Sequence, residues 1–360
     1  MLRPSGSLHA GTIHRLEPSL KEKALSLHLV PPPSPSPSPF SPPPEWSDLL
    51  SRMVPPTPFS TWEWQALWWK HFGQGKEWLA LAVRHEGRVI ALAPFYRDDQ
   101  GNHLRLVGGE DLSDYLDILC QPGEEARVWE LILDYLRSRP SGLEGLDLHC
   151  LPGHSPTLEV LPRLARDHDH AVRVELEEGC PQIELPATWQ DYLLLLHRKD
   201  RHELRRKMRR AQSAPISLRF RQCSEEECAR EDIKSFICLH RKSRPEKEGF
   251  MDERREAFFA EVASVFTRRG WLRLYTLEHE GGAAAAMLCF DYQGNVMLYN
   301  SGYDPAFSSL SPGIVLIANC LQDAISRRKA RFDFLRGKED YKYRLGGRDF
   351  PVYRIVVEGT

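Results

Sequence analysis

The residues best suited to chemistry are concentrated in one stretch, Tyr299 to Arg348. Within it, 338–344 reads KEDYKYR and places lysine, tyrosine and carboxylate side chains next to one another. Ammonium groups can stabilise negative charge, phenols can donate protons, and carboxylates can accept them. We therefore expect an active or binding site in this stretch.

A predicted helix over 313–328 precedes this cluster, and its start suits an anion. Ser311 is a favourable N-cap, Pro312 is tolerated in the first turn, and Gly313 follows. Apolar residues recur at helical spacing as far as Ile325, and basic residues follow them. The free N–H groups at such a helix start can bind phosphate or pyrophosphate. The alternative is a well-capped βαβ unit that binds nothing.

Composition limits the other possibilities. A chain of 360 residues is long enough for two domains, and a formal charge of -2 argues against a globally basic protein that binds DNA. The eight cysteines form no CxxC pair, so we expect buried free thiols, with neither a disulfide framework nor a zinc or other metal site. No apolar run reaches transmembrane length, which predicts a cytoplasmic protein without membrane insertion.

The N-terminal part differs from the rest of the chain. Residues 1–45 are predicted to be a disordered tail, because the Pro/Ser-rich run at 31–44 favours neither a helix nor a sheet. Folded structure is expected from Trp46. A helix is predicted within 57–73, starting at Ser60 or Thr61, with an aromatic face that is more typical of a core than of a stacking platform.

Two segments carry the same order of elements. Residues 78–97 and 271–302 both read as strands joined at a His-Glu-Gly turn, and each is followed by a helix and then a strand. Asp147 and Asp333 occupy matching places in the two final strands. Further strands are predicted at 104–109 and 115–120. This order predicts a mixed α/β fold of two similar tandem domains, 46–185 and 186–360.

With these segments the chain resembles the GNAT superfamily of N-acetyltransferases. The resemblance covers roughly 46–355 and is carried by TPFSTWEWQALWWKHFG (57–73) and by YNSGYDPAFSSLSPGIVL with FDFLRGKEDYKYRLG in the second half. It is similar to the branch with two tandem GNAT folds, the BioF2-like or CelD/BcsL-type acetyltransferases, and more distantly to the Fem peptidoglycan aminoacyltransferases. The loop before the helix has a single glycine, Gly313, whereas the family pattern has two small residues.

The resemblance implies acyl transfer to an amine, with the donor in the second copy and the first copy degenerate. It implies Lys342, in a YK motif, as a functional cation. Acyl transfer also needs a proton donor and a base. The candidates, with Lys342, are Tyr341, Tyr299 and Asp333, although core or ion-pair roles for the latter residues stay open. Donor contacts are expected from the strand end and the helix start, at Asn300, Ser301, Ser311, Gly313 and Ile314.

A basic helix at 198–210 is a second candidate feature. Arg198, Arg201, Arg205 and Arg209 share one face at helical spacing. Three readings compete: a solvated helix, a clamp on an anionic acceptor, and a contact to tRNA. Arg241 belongs to a further basic patch, with Arg244 and Lys247, that could line the same groove.

The sequence thus predicts a GNAT-type N-acyltransferase that uses acetyl-CoA or another acyl-CoA. The acceptor is expected to be a polar or anionic small-molecule amine, such as a sugar or cell-envelope precursor. One alternative is a Fem-like transferase that uses aminoacyl-tRNA. Another is a non-catalytic binding module that has kept the fold.

Overall fold

Alternating helices and strands follow one another along the chain in a computed structural model that describes residues 25–33, 42–52, 56–98, 101–138, 143–223 and 225–358. In the first half they are β1 Ser26–Leu29, α1 Pro44–Arg52, α2 Trp62–Phe72, β2 Lys76–Trp78, β3 Leu81–His85, β4 Arg88–Ala93, β5 Phe95–Asp98, β6 His103–Leu106, β7 Leu119–Cys120, α3 Glu125–Ser138, β8 Gly145–Pro152, α4 Thr157–Asp167 and β9 Ala171–Glu184. In the second half they are α5 Trp189–Leu195, α6 Arg198–Gln212, β10 Arg219–Cys223, α7 Glu226–Ser243, α8 Pro245–Phe250, α9 Glu253–Arg268, β11 Leu272–His279, β12 Gly282–Tyr292, β13 Asn295–Tyr303, α10 Pro312–Ser326, β14 Arg331–Asp333, α11 Asp340–Arg344 and β15 Arg348–Glu358.

The strands form two sheets, mostly antiparallel. A small sheet has the order β1-β3-β4-β7, and a large one has the order β10-β11-β12-β13-β14-β9-β15-β8-β6-β5-β2. Two pairs in the large sheet are parallel, β13 with β14 and β6 with β8. This arrangement confirms the predicted mixed α/β class.

Both predicted hairpins are present. β3 pairs with β4 and β11 pairs with β12, each across a turn that contains the Glu-Gly dipeptide. In the first turn Glu86 has φ 50° and Gly87 has φ 80°. A two-residue turn with both central residues in the left-handed region matches the twist of its strands, and the glycine adopts it without strain.

The last strand lies among strands of the first half. β15 pairs with β8 on one side and with β9 on the other, both antiparallel. β14 also pairs with β9, so the large sheet runs without a break across the predicted boundary at residue 185. The division into domains 46–185 and 186–360 therefore stays a prediction.

Part of the predicted tail is folded. β1 pairs with β3 from Ser26 opposite Arg84 to Leu29 opposite Leu81, so placing the start of the fold at Trp46 was wrong. Alternation in SLHL is too short to stand out in a sequence, and β1 is stabilised by its neighbour β3. Residues 34–41 of the Pro/Ser-rich run lie outside the described residues.

Two other local predictions need correction. Only Leu119–Cys120 of the predicted strand 115–120 is a strand, because the preceding residues form an irregular segment around the buried Asp117. Cys223 and Cys228 are joined by a disulfide, not free. Five residues apart, they meet where β10 ends and α7 begins. Cys289 and Cys320 are buried free thiols, as predicted.

The aromatic face of α2 belongs to the core. Trp64 is fully buried and its ring packs edge-on against Phe59, Phe258, Phe290 and Tyr299. Because these rings come from both halves of the chain, α2 joins the halves and does not offer a stacking platform. Among the described helices, none combines the length and apolar character needed to cross a bilayer.

Candidate functional site

A cavity in the second half opens where two parallel strands part. β13 and β14 pair only from Asn295 opposite Arg331 to Met297 opposite Asp333. Beyond that point the Phe334 N–H donates to the Pro181 carbonyl, so the chain turns toward β9 and leaves one edge of β13 free. A cavity of about 460 Å³ fills the gap. A free strand edge offers backbone groups to an extended ligand.

The start of α10 forms one end of this cavity. Pro312, Gly313 and Ile314 line it, and the N–H groups of Gly313 and Ile314 have no acceptor among the described residues. The first turn carries no acidic side chain. A Cβ on Gly313 would meet nothing within 4 Å. The helix start therefore faces open space with free N–H donors, which fits a phosphate.

Ser311 differs from its predicted role. It stands at the N-cap position but has φ 52° and ψ 51°, and its side chain makes no capping hydrogen bond. The preceding 3₁₀ turn, Pro305–Leu310, ends at Ser311, and this left-handed backbone conformation redirects the chain into the helix. Its predicted capping bond was wrong, but the residue does line the cavity.

β13 bulges in the middle of the cavity wall. Asn300 lies opposite Leu288 and Leu298 opposite Cys289, so Tyr299 is an extra residue without a partner in β12. A bulge of this kind re-aims the local backbone. The Asn300 side chain accepts a hydrogen bond from the Ser301 N–H at 2.8 Å. The predicted contacts Asn300 and Ser301 are thus both at the cavity.

Tyr299 lines the cavity wall, but its phenol is engaged elsewhere. The hydroxyl donates to the Leu112 carbonyl at 2.9 Å. Burial, followed by the nearby Asp114 carboxylate, raises the pKa of this phenol well above its usual range. Because the Tyr299 hydroxyl already donates to a carbonyl, its contacts support a role in shaping the wall more than a role in proton transfer.

Lys342 is a buried member of the cavity lining. Its Nζ donates to the carbonyls of Leu335, Arg336 and Gly337 at 3.2, 2.7 and 3.1 Å, and it lies 2.9 Å from Glu339 Oε2. Only 3% of the residue is exposed. Leu335 is in the left-handed region at φ 56°, so the ammonium closes a sharp turn after β14. Lys342 is therefore not a solvated surface lysine, and its geometry supports a positioning role.

Tyr341 is a cavity phenol whose hydroxyl is not engaged by the wall. It lines the cavity, its ring packs edge-on against Phe334, and its hydroxyl makes no hydrogen bond to a described residue. Burial, then Glu339, raises the pKa of this phenol, so it stays protonated at neutral pH. Tyr341 therefore meets the requirement for a proton donor.

Asp333 does not reach the cavity. Its carboxylate accepts hydrogen bonds from Tyr115 Oη at 2.8 Å, Gln182 Nε2 at 2.9 Å and the Leu335 N–H at 2.7 Å. Burial raises its pKa to about 7. The matching residue, Asp147, is also buried and binds Arg354 at 2.7 Å. Both aspartates therefore hold neighbouring strands together. For Asp333 these contacts support the structural role that was left open, not a catalytic one.

The basic residues fall into separate places. Arg198, Arg201 and Arg205 line a surface depression with Arg344, and this depression shares no residue with the cavity beside β13. Arg209 lies further along the same helix, α6. Arg241 is bound to Glu256 at 2.7 Å and to the Met251 carbonyl at 2.8 Å, so it does not join them in one groove.

Two members of the further basic patch do reach the cavity. Arg244 precedes α8 and Lys247 lies within it, and both line the cavity. Lys247 Nζ donates to the Ser301 carbonyl at 2.5 Å. Glu339 lines the cavity as well. Sequence reasoning placed Arg244 and Lys247 in a basic patch that could line the groove of the α6 arginines, but they line this cavity instead.

Comparisons with known proteins give one family match and several similar folds. Residues 198–343 match the model of the acetyltransferase (GNAT) domain family. No curated protein sequence matches the chain significantly. The structure of FemX is 10% identical, covers 86% of this chain and 94% of its own, and superposes with a TM-score of 0.60.

Two further solved structures are similar in fold. The C-terminal domain of a putative lysylphosphatidylglycerol synthetase from Agrobacterium fabrum is 10% identical and covers 87% of this chain and 90% of its own, with a TM-score of 0.54. A conserved protein of unknown function from Bacteroides thetaiotaomicron is also 10% identical and covers 87% and 96%, with a TM-score of 0.55. Identities this low establish the fold alone. The chain therefore has the GNAT fold and carries, in residues 198–343, a domain that matches the GNAT acetyltransferase family.

Proposed function

We propose that this protein is an N-acyltransferase that moves an acetyl or other acyl group from acyl-CoA to the amine of a polar or anionic small molecule. Membership of the tandem BioF2-like or CelD/BcsL-type branch is part of the proposal. The observation that carries it is the open end of α10: free N–H groups at Gly313 and Ile314 face the cavity between parting strands. The thioester, when bound, supplies an activated acyl carbon.

The cavity residues divide the work as follows. The helix start holds the donor phosphates, and the free edge of β13 pairs with the extended part of the donor. At the bulge around Tyr299 the backbone turns toward the cavity, where N–H groups stabilise oxyanion charge. As the C–N bond forms and the C–S bond breaks, the amine proton passes to water or Glu339, and Tyr341 protonates the leaving thiolate. Lys342 holds the turn that carries this wall.

Donor binding tests the proposal directly. Acetyl-CoA that binds only the native state must raise the thermal unfolding midpoint. A Gly313→Glu variant places a carboxylate in the space where the phosphates would lie, and a Gly313→Ala variant is the matched control, since its methyl group meets nothing. We expect stabilisation of the wild type and of Gly313→Ala, and none of Gly313→Glu. No stabilisation of the wild type at millimolar acetyl-CoA would refute the acyl-CoA proposal.

A Fem-like donor, aminoacyl-tRNA, is the second candidate, and one observation favours it. The arginines of α6 form an exposed basic face separate from the cavity, as a second anchoring surface for RNA would. The basic helix would then give tRNA binding a steep salt dependence that Arg198→Gln and Arg205→Gln reduce. If the protein binds neither acetyl-CoA nor tRNA, the third alternative remains, a non-catalytic binding module.

A further inference from the structure

The charges around the cavity do not cancel. Four basic side chains line it: Arg244, Lys247, Arg336 and Lys342. Arg336 is bound by Asp114 at 2.6 Å, and Lys342 is bound by Glu339 at 2.9 Å. Arg244 and Lys247 have no carboxylate within 4 Å among the residues that the structure describes. The cavity thus keeps two uncompensated positive charges.

Lys247 is held inside the cavity and not in bulk solvent. Its Nζ donates to the Ser301 carbonyl at 2.5 Å and to Asn300 Oδ1 at 3.3 Å, both on β13. Burial, then the neighbouring Arg244, lowers its pKa to about 8. An ammonium with only neutral acceptors in a partly buried site costs free energy, and such groups are common where a charged ligand supplies the missing partner.

This pair and the donor N–H groups line the cavity from different elements. Lys247 of α8 contacts β13 next to the bulge at Tyr299, whereas the free N–H groups belong to the first turn of α10. A second cavity of about 390 Å³ adjoins the first at Tyr299, Asn300 and Arg336, and Phe250 of α8 forms part of its wall. Its wall also contains Asp111, Asp114, Glu177 and Glu178, so the basic pair, and not this second cavity, is the place for an anionic group.

From these contacts we propose that Arg244 and Lys247 bind an anionic group, a carboxylate or a phosphate, on the acyl acceptor. The acceptor class is thus a small molecule that carries an amine and an anionic group together, such as an amino acid or an amino sugar phosphate. The part of this inference that identifies the ligand as the acyl acceptor rests on the proposed function. The anion site itself does not depend on it.

The inference can be tested by anion binding to the full chain. Inorganic phosphate and formate are titrated separately at pH 7 by calorimetry, in a Gly313→Glu background that closes the helix-start site. We expect at least one of the two to bind, and we expect Lys247→Met and Arg244→Gln each to weaken it at least fivefold. Binding of phosphate alone would indicate a phosphate group on the ligand, and binding of formate alone would indicate a carboxylate. Lys338→Met, which changes a lysine outside the cavity, should bind like its background.

Two results would overturn the proposal. One is equal anion affinity in Lys247→Met and its background, and the other is no binding of either anion. Because Arg244 lies at the exposed mouth, Arg244→Gln keeps the test decisive if Lys247→Met does not fold. Acetyl-CoA stabilisation of Lys247→Met is measured in parallel without the Gly313 change. Anion binding without any acetyl-CoA effect would reject the proposed donor while keeping the anion site.

Discussion

At the scale of single residues, the site depends on which charges are already neutralised. Lys342 and Arg336 have carboxylate partners, so their positive charge serves the fold. Lys247 contacts only neutral acceptors, so its charge is available to a ligand. The chemistry of the cavity therefore depends less on the number of basic residues than on their partners.

Lys247 predicts a pH dependence for anion binding. Burial and then Arg244 lower its pKa to about 8. Glu339 acts in the opposite direction, and Lys342 adds a smaller lowering effect. Binding requires the ammonium form, so sulfate affinity should be constant below about pH 7 and fall roughly tenfold between pH 7 and pH 9. Sulfate keeps its own charge across this range. Calorimetric titration at several pH values gives the curve, and Lys247→Met should be flat; a parallel fall in that variant would assign the titration to another group.

Residue types alone predicted part of this site. The cluster at 338–344 and the positions Asn300, Ser301, Gly313 and Ile314 were identified from the sequence. All four of these positions line the cavity, as do Glu339, Tyr341 and Lys342 of the cluster. The partners could not be predicted. Lys342 looks like a solvent-exposed catalytic lysine in sequence, because nothing local indicates that the carbonyls of 335–337 fold back onto it.

At the scale of elements, the turn between β14 and α11 should be especially sensitive to mutation. Three consecutive carbonyls point at one ammonium, and two of the residues involved, Leu335 and Gly337, have positive φ. A Cβ on Gly337 would also lie 2.5 Å from Glu339 Oε2. The Lys342 side chain therefore makes a central contribution to holding the wall of the cavity that carries Tyr341.

Lys342→Met should lower the free energy of unfolding by about 2–3 kcal/mol, because it leaves the buried carbonyls and Glu339 without the ammonium. Urea titration measures the change. Lys338→Met is the matched control and should cost less than about 0.5 kcal/mol, since Lys338 is exposed and 3.7 Å from Glu178. Equal costs for the two variants would contradict the anchoring role.

Elements with strong periodicity were predictable, and those shaped by tertiary contact were not. The helices at 198–212 and 312–326 match the predicted ranges 198–210 and 313–328 closely, and both predicted hairpins are present. β1 and the irregular segment before β7 were missed. Each owes its conformation to a neighbour, β3 in one case and the buried Asp117 in the other.

At the scale of the whole molecule, the two halves are expected to unfold together. Ile355 of β15 is fully buried and lies opposite Leu148 of β8 and Val174 of β9. Loss of the last strand therefore exposes the sheet of the first half as well.

Hydrogen exchange monitored during urea titration should give one midpoint for amides of α3 and α10, which lie in different halves. Ile355→Asp should lower both midpoints equally, because a buried carboxylate there has no partner. Two separate midpoints in the wild type would contradict this prediction and would support independent domains.

No local pattern predicts that β15 lies beside β8. The pairing joins Val352 with Pro152, two hundred positions away, whereas helical spacing and turn residues report only on near neighbours. The sequence order of two similar halves suggested two separate sheets, and the actual sheet is continuous.

This strand order has a consequence for biosynthesis. During translation, β8 and β9 emerge long before Arg348–Glu358, the segment that must lie between them. The facing edges of β8 and β9 stay unpaired until the ribosome has made Arg348–Glu358, and exposed edges favour aggregation. The nascent protein should therefore depend on chaperones more than its size suggests, and ribosomes stalled before residue 348 should carry a protease-sensitive first half.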